Sequence, residues 1–151
     1  MLNERRLITM NTNEIKVIDI SYHNGNINFS TVKAAGINHV IIRAGYGDNY
    51  ASQHDKKFDE YMKAAISNNM YVALYLYSYA DNPSHAKSEA QHIISQWNKY
   101  KEYDRLSKVL WLDIEEERYI KNAKTVFKEF KQHVLNAGFI AGLYTGEYYL
   151  L

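Results

Sequence analysis

Apolar positions recur along this chain in two rhythms. Short runs dense in Val, Ile and Leu predict strands at 16–21, 38–47, 70–80, 108–115 and 139–146. Between them, apolar residues return every three or four positions and predict helices at 28–36, 55–69, 82–100 and 122–138. The core face of the second helix is Phe58, Tyr61, Met62, Ala65 and Ile66. That of the last is Val126, Phe127, Phe130 and Val134. Ser30 stands where the first helix needs an N-cap, and Asn82 or Ser84 where the third does. Gly36 and Gly138 fall just past helix ends, and Asn68-Asn69 closes the second helix. Residues 1–14 are polar and aperiodic and read as a tail, with Met10 as a second candidate start. Residues 15–151 read as one domain.

Strands and helices in strict alternation predict an α/β fold with a parallel sheet, either a doubly wound open sheet or a TIM-like (β/α) barrel. Both gather their chemistry beyond the carboxyl ends of the strands. The fourth strand, in "VLWLDIEEE", is therefore telling. Side chains alternate between faces, so Val109, Trp111, Asp113 and Glu115 share one face while Leu110, Leu112 and Ile114 share the other and pack on helices. The first strand repeats the pattern with Val17, Asp19 and Ser21. A barrel brings Asp19, Asp113 and Glu115 to a common mouth.

Residues two apart on a strand have Cα atoms roughly 6.6 Å apart, within the range of about 5–9.5 Å spanned by glycosidase carboxylate pairs. Crowded acids raise the proton affinity of at least one of them. A protonated carboxyl can donate to a leaving oxygen while an ionised neighbour stabilises cationic character on a sugar. The competing reading is structural: Glu115, Glu116 and Glu117 favour the start of a helical turn, and Asp19 is a turn residue.

Composition sharpens this. The 151 residues carry a net charge of +1, so no broad basic surface points to nucleic acid. With no cysteine, thiol nucleophiles and thiolate metal sites are excluded. No apolar run is long enough to span a bilayer, and the N-terminus lacks the apolar segment of a signal peptide. Fourteen tyrosines are an unusual number. Tyr75, Tyr77 and Tyr79 share one strand face, where ring and hydroxyl together suit a wet sugar groove. Tyr75, deepest of the three, reads as interior, with its hydroxyl paired internally. Arg43 lies mid-strand and calls for an acid partner, either to orient a barrel acid or to anchor an ion pair. His85, Glu89 and His92 fall on one helix face, but without the spacing of a zinc helix they read as a solvated face.

The ordered set "DISYHNGNINFSTVKAAGINHVIIRAGYG" (19–47), "YLYSYA" (75–80) and "VLWLDIE" (109–115) resembles the glycoside hydrolase family 25 lysozymes, the Chalaropsis-type N-acetylmuramidases of bacterial autolysins and phage endolysins. The resemblance runs from Lys16 to about Tyr149. It implies an irregular barrel of about eight strands and hydrolysis of the β-1,4 bond between N-acetylmuramic acid and N-acetylglucosamine in peptidoglycan. It further implies Glu115 as general acid, Asp113 as the partner that stabilises the transition state or assists the substrate's acetamido group, and Asp19 as a member of the acidic cluster. Tyr77 matches a groove aromatic, and Tyr79, Arg43 and Tyr144 are expected to bind substrate beside it. Neither a metal nor an organic cofactor is implied. The partners implied are peptidoglycan glycan strands, met at the cell wall outside the cell or after phage release, not nucleic acid or membrane.

The resemblance departs at the end. Family domains continue past the strand matching "FIAGLYTG", so the fold is expected to be an incomplete barrel of about five strands. Self-association or a complementing C-terminal segment is the corresponding expectation. The alternative function is a catalytically impaired wall-glycan-binding protein; a third reading is a different barrel glycosidase acting on chitin-like sugars.

Overall fold

The computed structural model describes residues 15–146. The tail expected over 1–14 lies outside the described residues. The strands are β1 (Val17–Ile20), β2 (His39–Tyr46), β3 (Tyr71–Tyr77), β4 (Leu106–Ile114) and β5 (Ile140–Thr145). Between them run α1 (Phe29–Ala34), α2 (Phe58–Ser67), α3 (Pro83–Asn98), α4 (Glu117–Ile120) and α5 (Ala123–Asn136). All strand pairs are parallel, in the order β1-β2-β3-β4-β5. Among the described residues the sheet does not close, and β1 and β5 are its edges. It curls nonetheless: Asp19 on β1 and Tyr144 on β5 line the same cavity.

Alternation divides the sheet as expected. Val40, Ile42, Leu74, Leu76, Leu110 and Leu112 are buried against Phe58, Met62, Ile93, Val126, Phe130 and Val134 of the helices. This single apolar layer holds the helices on the outer face and leaves the polar inner face free. On that inner face Trp111 stands opposite Gly142 in register. A Cβ at Gly142 would overlap the indole, so the glycine makes room for the largest inward side chain.

Several boundaries differ from the sequence reading, each for a local reason. The N-cap of α1 is Asn28, not Ser30: its Oδ1 accepts the Thr31 amide at 3.1 Å and the Ser30 hydroxyl at 2.6 Å. For α3 the cap is Asn82, which accepts the amides of Ser84 and His85. Helix α2 begins at Phe58 because Asp55 is engaged elsewhere, with Arg43, the Tyr22 amide and the Lys57 amide. The register of β2 against β3 shifts between Arg43 and Gly45. That bulge puts Tyr46 opposite Tyr77, on the face that strict alternation denies it.

Helix α3 holds the largest correction. Glu89 and His92 are buried, with Gln96 one turn further on; only His85 of the expected solvated face is exposed. Glu89 bonds to Ser78 and Tyr79, and His92 Nδ1 lies 3.1 Å from the Gly47 carbonyl oxygen. Polar residues at helical spacing here satisfy strand ends rather than meet water. Among the described residues no group of His, Asp and Glu is arranged to hold a metal ion, and no helix is long and apolar enough to cross a membrane.

Candidate active site

The carboxyl ends of the five strands surround a cavity of about 700 Å³ lined by Asp19, Ser21, His23, Arg43, Asp113 and Glu115, among others. Its lining includes Tyr75 and Tyr77 of β3, Tyr79 of the turn that follows, and Tyr144 of β5. Every residue expected at the site therefore reaches this cavity.

The acids differ in setting. Asp19 and Glu115 are exposed to the groove, whereas Asp113 is only 7% exposed. Burial, then the charges of Glu115 and Asp19, push the Asp113 carboxyl up to about 7, with Arg43 pulling the other way. Its Oδ1 is buried without a hydrogen-bond partner. Crowding does raise proton affinity here, and it acts on Asp113. A carboxyl that titrates near neutrality beside an open groove can hold or release a proton as its surroundings change.

The tyrosine wall is built by alternation up to Tyr77 and by the turn that follows it. The Tyr77 hydroxyl donates to Glu116 Oε1 at 3.3 Å, and burial with the neighbouring acids pushes it up to about 12. Tyr79 meets Tyr77 edge-on, with ring centroids 5.4 Å apart, and makes similar contacts with Tyr46 and Tyr119. Rings in such mutual contact form a stiff platform with polar edges. Tyr75 also lines the cavity, and burial, then the charge of Asp19, raise its hydroxyl, with Arg43 opposing. It lines the cavity rather than being sealed in the interior.

Arg43 finds its partner in Asp55, at 2.8 Å, rather than in a strand-end acid. Its guanidinium carbon also lies 5.0 Å from the Tyr22 ring centroid and 5.8 Å from that of Tyr46. Of the two expected roles, the ion pair is realised, and the arginine still adds positive potential under Asp113. Sequence reading missed His23, Tyr119 and Asp55, and it read Glu116 as the start of a helical turn and Glu89 as part of a solvated face. Asp55 left a signal: an acid ahead of an amphipathic helix whose apolar repeat begins three residues later.

The profile of the glycosyl hydrolases family 25 matches residues 18–151. No curated protein matches the chain. Among solved structures, the modular autolysin LytC from Streptococcus pneumoniae is similar with a TM-score of 0.75 and 24% identity, over 89% of this chain and 33% of that one. The same autolysin in complex with a synthetic peptidoglycan ligand gives 0.71 and 25% identity, over 85% and 32%. The catalytic domain of an endolysin from a bacteriophage of Listeria monocytogenes gives 0.71 and 23%, over 88% and 64%. The chain thus spans from about a third to just under two thirds of the length of these structures. They share its fold.

Proposed function

The chain belongs to the glycosyl hydrolases family 25, and from that premise we propose that it is a peptidoglycan-cleaving N-acetylmuramidase. The bond cut is the β-1,4 link between N-acetylmuramic acid and N-acetylglucosamine. The observation that carries this reading is the convergence of Asp19, Asp113 and Glu115 on one tyrosine-lined cavity. A related autolysin has been seen with a synthetic peptidoglycan ligand, which supports the substrate class.

In this reading Glu115, facing the open groove, donates a proton to the leaving glycosidic oxygen. Asp113, buried beside it with a free Oδ1, accepts the acetamido N–H of the sugar. That hydrogen bond favours its ionised form and offsets the burial that keeps it protonated when empty. Asp19 adds negative potential against the developing positive charge. Tyr77, Tyr79 and Tyr144 carry the sugar rings, and Arg43 holds the floor through Asp55. The site of action is the bacterial cell wall, outside the cell or after phage release. Three acids gathered on one tyrosine-lined groove favour cleavage over a purely glycan-binding role.

The test is digestion of purified bacterial walls. The expected result is falling turbidity with new reducing ends that convert to muramitol on borohydride reduction. Glucosaminitol instead would mark a different bond and overturn the assignment. Wall binding with no new ends would favour the non-catalytic reading.

A further inference from the structure

Glu89 is a carboxylate on α3 with 1% of its surface exposed. No Lys or Arg pairs with it among the described residues. A buried acid without a cation is costly unless its oxygens are fully used. Both are: Oε2 accepts the Ser78 hydroxyl at 2.7 Å and Oε1 the Tyr79 amide at 2.7 Å. Both donors belong to the turn that leaves β3. The Ser78 amide in turn donates to the carbonyl of Asp113 at 2.8 Å, and the Tyr77 carbonyl accepts the Gly47 amide at 2.9 Å. The backbone carrying Tyr77, Ser78 and Tyr79 is thus stitched to β4 on one side and to the β2 end on the other. Glu89 holds it from behind.

We propose that Glu89 is a positioning residue of the groove: its two hydrogen bonds fix the turn on which Tyr77 and Tyr79 stand and which is bonded to the backbone of Asp113. Without them the turn has no other partner from α3 among the bonds that reach it. The tyrosine rings then lose their fixed distance from the acids, and a misplacement of this kind weakens glycan binding and turnover more than it weakens the fold. This rests on the reading of the cavity as a glycan groove.

The test compares Glu89→Ala, Glu89→Gln and Ser78→Ala with Ile93→Ala, all in the full chain. Ile93 is fully buried on the same helix as a member of the apolar core, so its truncation reports loss of packing. Two quantities are measured at a temperature where each variant is folded. One is the nuclear Overhauser contact between the Tyr77 and Tyr79 rings. The other is affinity for a purified tetrasaccharide of alternating N-acetylglucosamine and N-acetylmuramic acid, in a Glu115→Gln background that blocks cleavage. Glu89→Ala should lose the ring contact and bind roughly tenfold more weakly, the scale of one or two lost hydrogen bonds. Ser78→Ala should lose part of both. Glu89→Gln, which keeps the shape and one acceptor, should restore most of each, and Ile93→Ala should keep both despite a lower Tm. Ring contacts retained in Glu89→Ala, or lost equally in Ile93→Ala, would overturn the proposal. Should the Glu115→Gln protein fail to bind the tetrasaccharide, the glycan reading fails, and the ring contacts decide the role of Glu89 by themselves.

Discussion

Arg43 and Asp55 form an ion pair, 2.8 Å from Nε to Oδ2, in which the carboxylate side chain is fully buried and the arginine nearly so. The pair joins β2 to the segment before α2, and Asp55 extends the link to the Tyr22 amide. Removing one partner strands the other charge in the interior. Asp55→Ala should therefore destabilise the protein by about 3–5 kcal/mol, measured by urea unfolding. A cost below about 1 kcal/mol, typical of an exposed pair, would show that water reaches Arg43.

Glu115 lies just past β4 on the exposed rim of the cavity, so its replacement should leave the fold alone. In Glu115→Gln the shape persists and the transferable proton does not. Wall lysis should fall by roughly 10²-fold or more, the scale of general-acid catalysis, with Tm unchanged. Lysis near the unsubstituted rate would remove Glu115 from the role of acid.

Gly142 and Trp111 share one level of the inner face, and a side chain at Gly142 has nowhere to go but into the indole. Gly142→Ala should cost about 1–3 kcal/mol by overpacking and shift the tryptophan emission maximum. Unchanged stability and emission would mean that Trp111 has room to move.

Much of this was legible in the sequence because period-two alternation is a local property. "VLWLDIE" puts Asp113 and Glu115 on the face opposite Leu112 whatever surrounds the strand, and "LYLYSY" does the same for Tyr75 and Tyr77. The parts that escaped are those that depend on a second element. Tyr46 joins the Tyr77 side only because β2 bulges before Gly45. Glu89 and His92 looked solvated because a helix wheel cannot tell water from the polar end of a neighbouring strand. Asp55 looked like the start of a helix because its buried partner is twelve residues away. Crowding was expected to raise the proton affinity of at least one acid without saying which; burial, which the sequence does not encode locally, singles out Asp113.

Asp113 also makes stability depend on pH, with a definite sign. Its carboxyl titrates at about 7 when folded and near 3.8 when unfolded. Between those values the folded protein binds more protons than the unfolded chain, so the free energy of unfolding falls as pH rises through the window, by at most about 1.4 kcal/mol per unit for this group. Above about 7 both states are ionised and its contribution is flat. Glu89, raised from 4.5 to about 7 by burial, acts in the same direction. His54 and His92, both lowered chiefly by burial, act in the opposite sense below their ordinary value of 6.5, since the unfolded chain takes up protons that the folded one refuses. The raw Tm curve therefore mixes signs, and the Asp113 part is isolated by difference. Asp113→Asn carries no titrating proton there, so its stability relative to the unsubstituted protein should rise steadily from pH 4 to pH 7 and then level off. Parallel Tm curves for the two proteins across that range would mean that Asp113 ionises as freely in the fold as out of it, and that the acidic cluster stores no proton near neutrality.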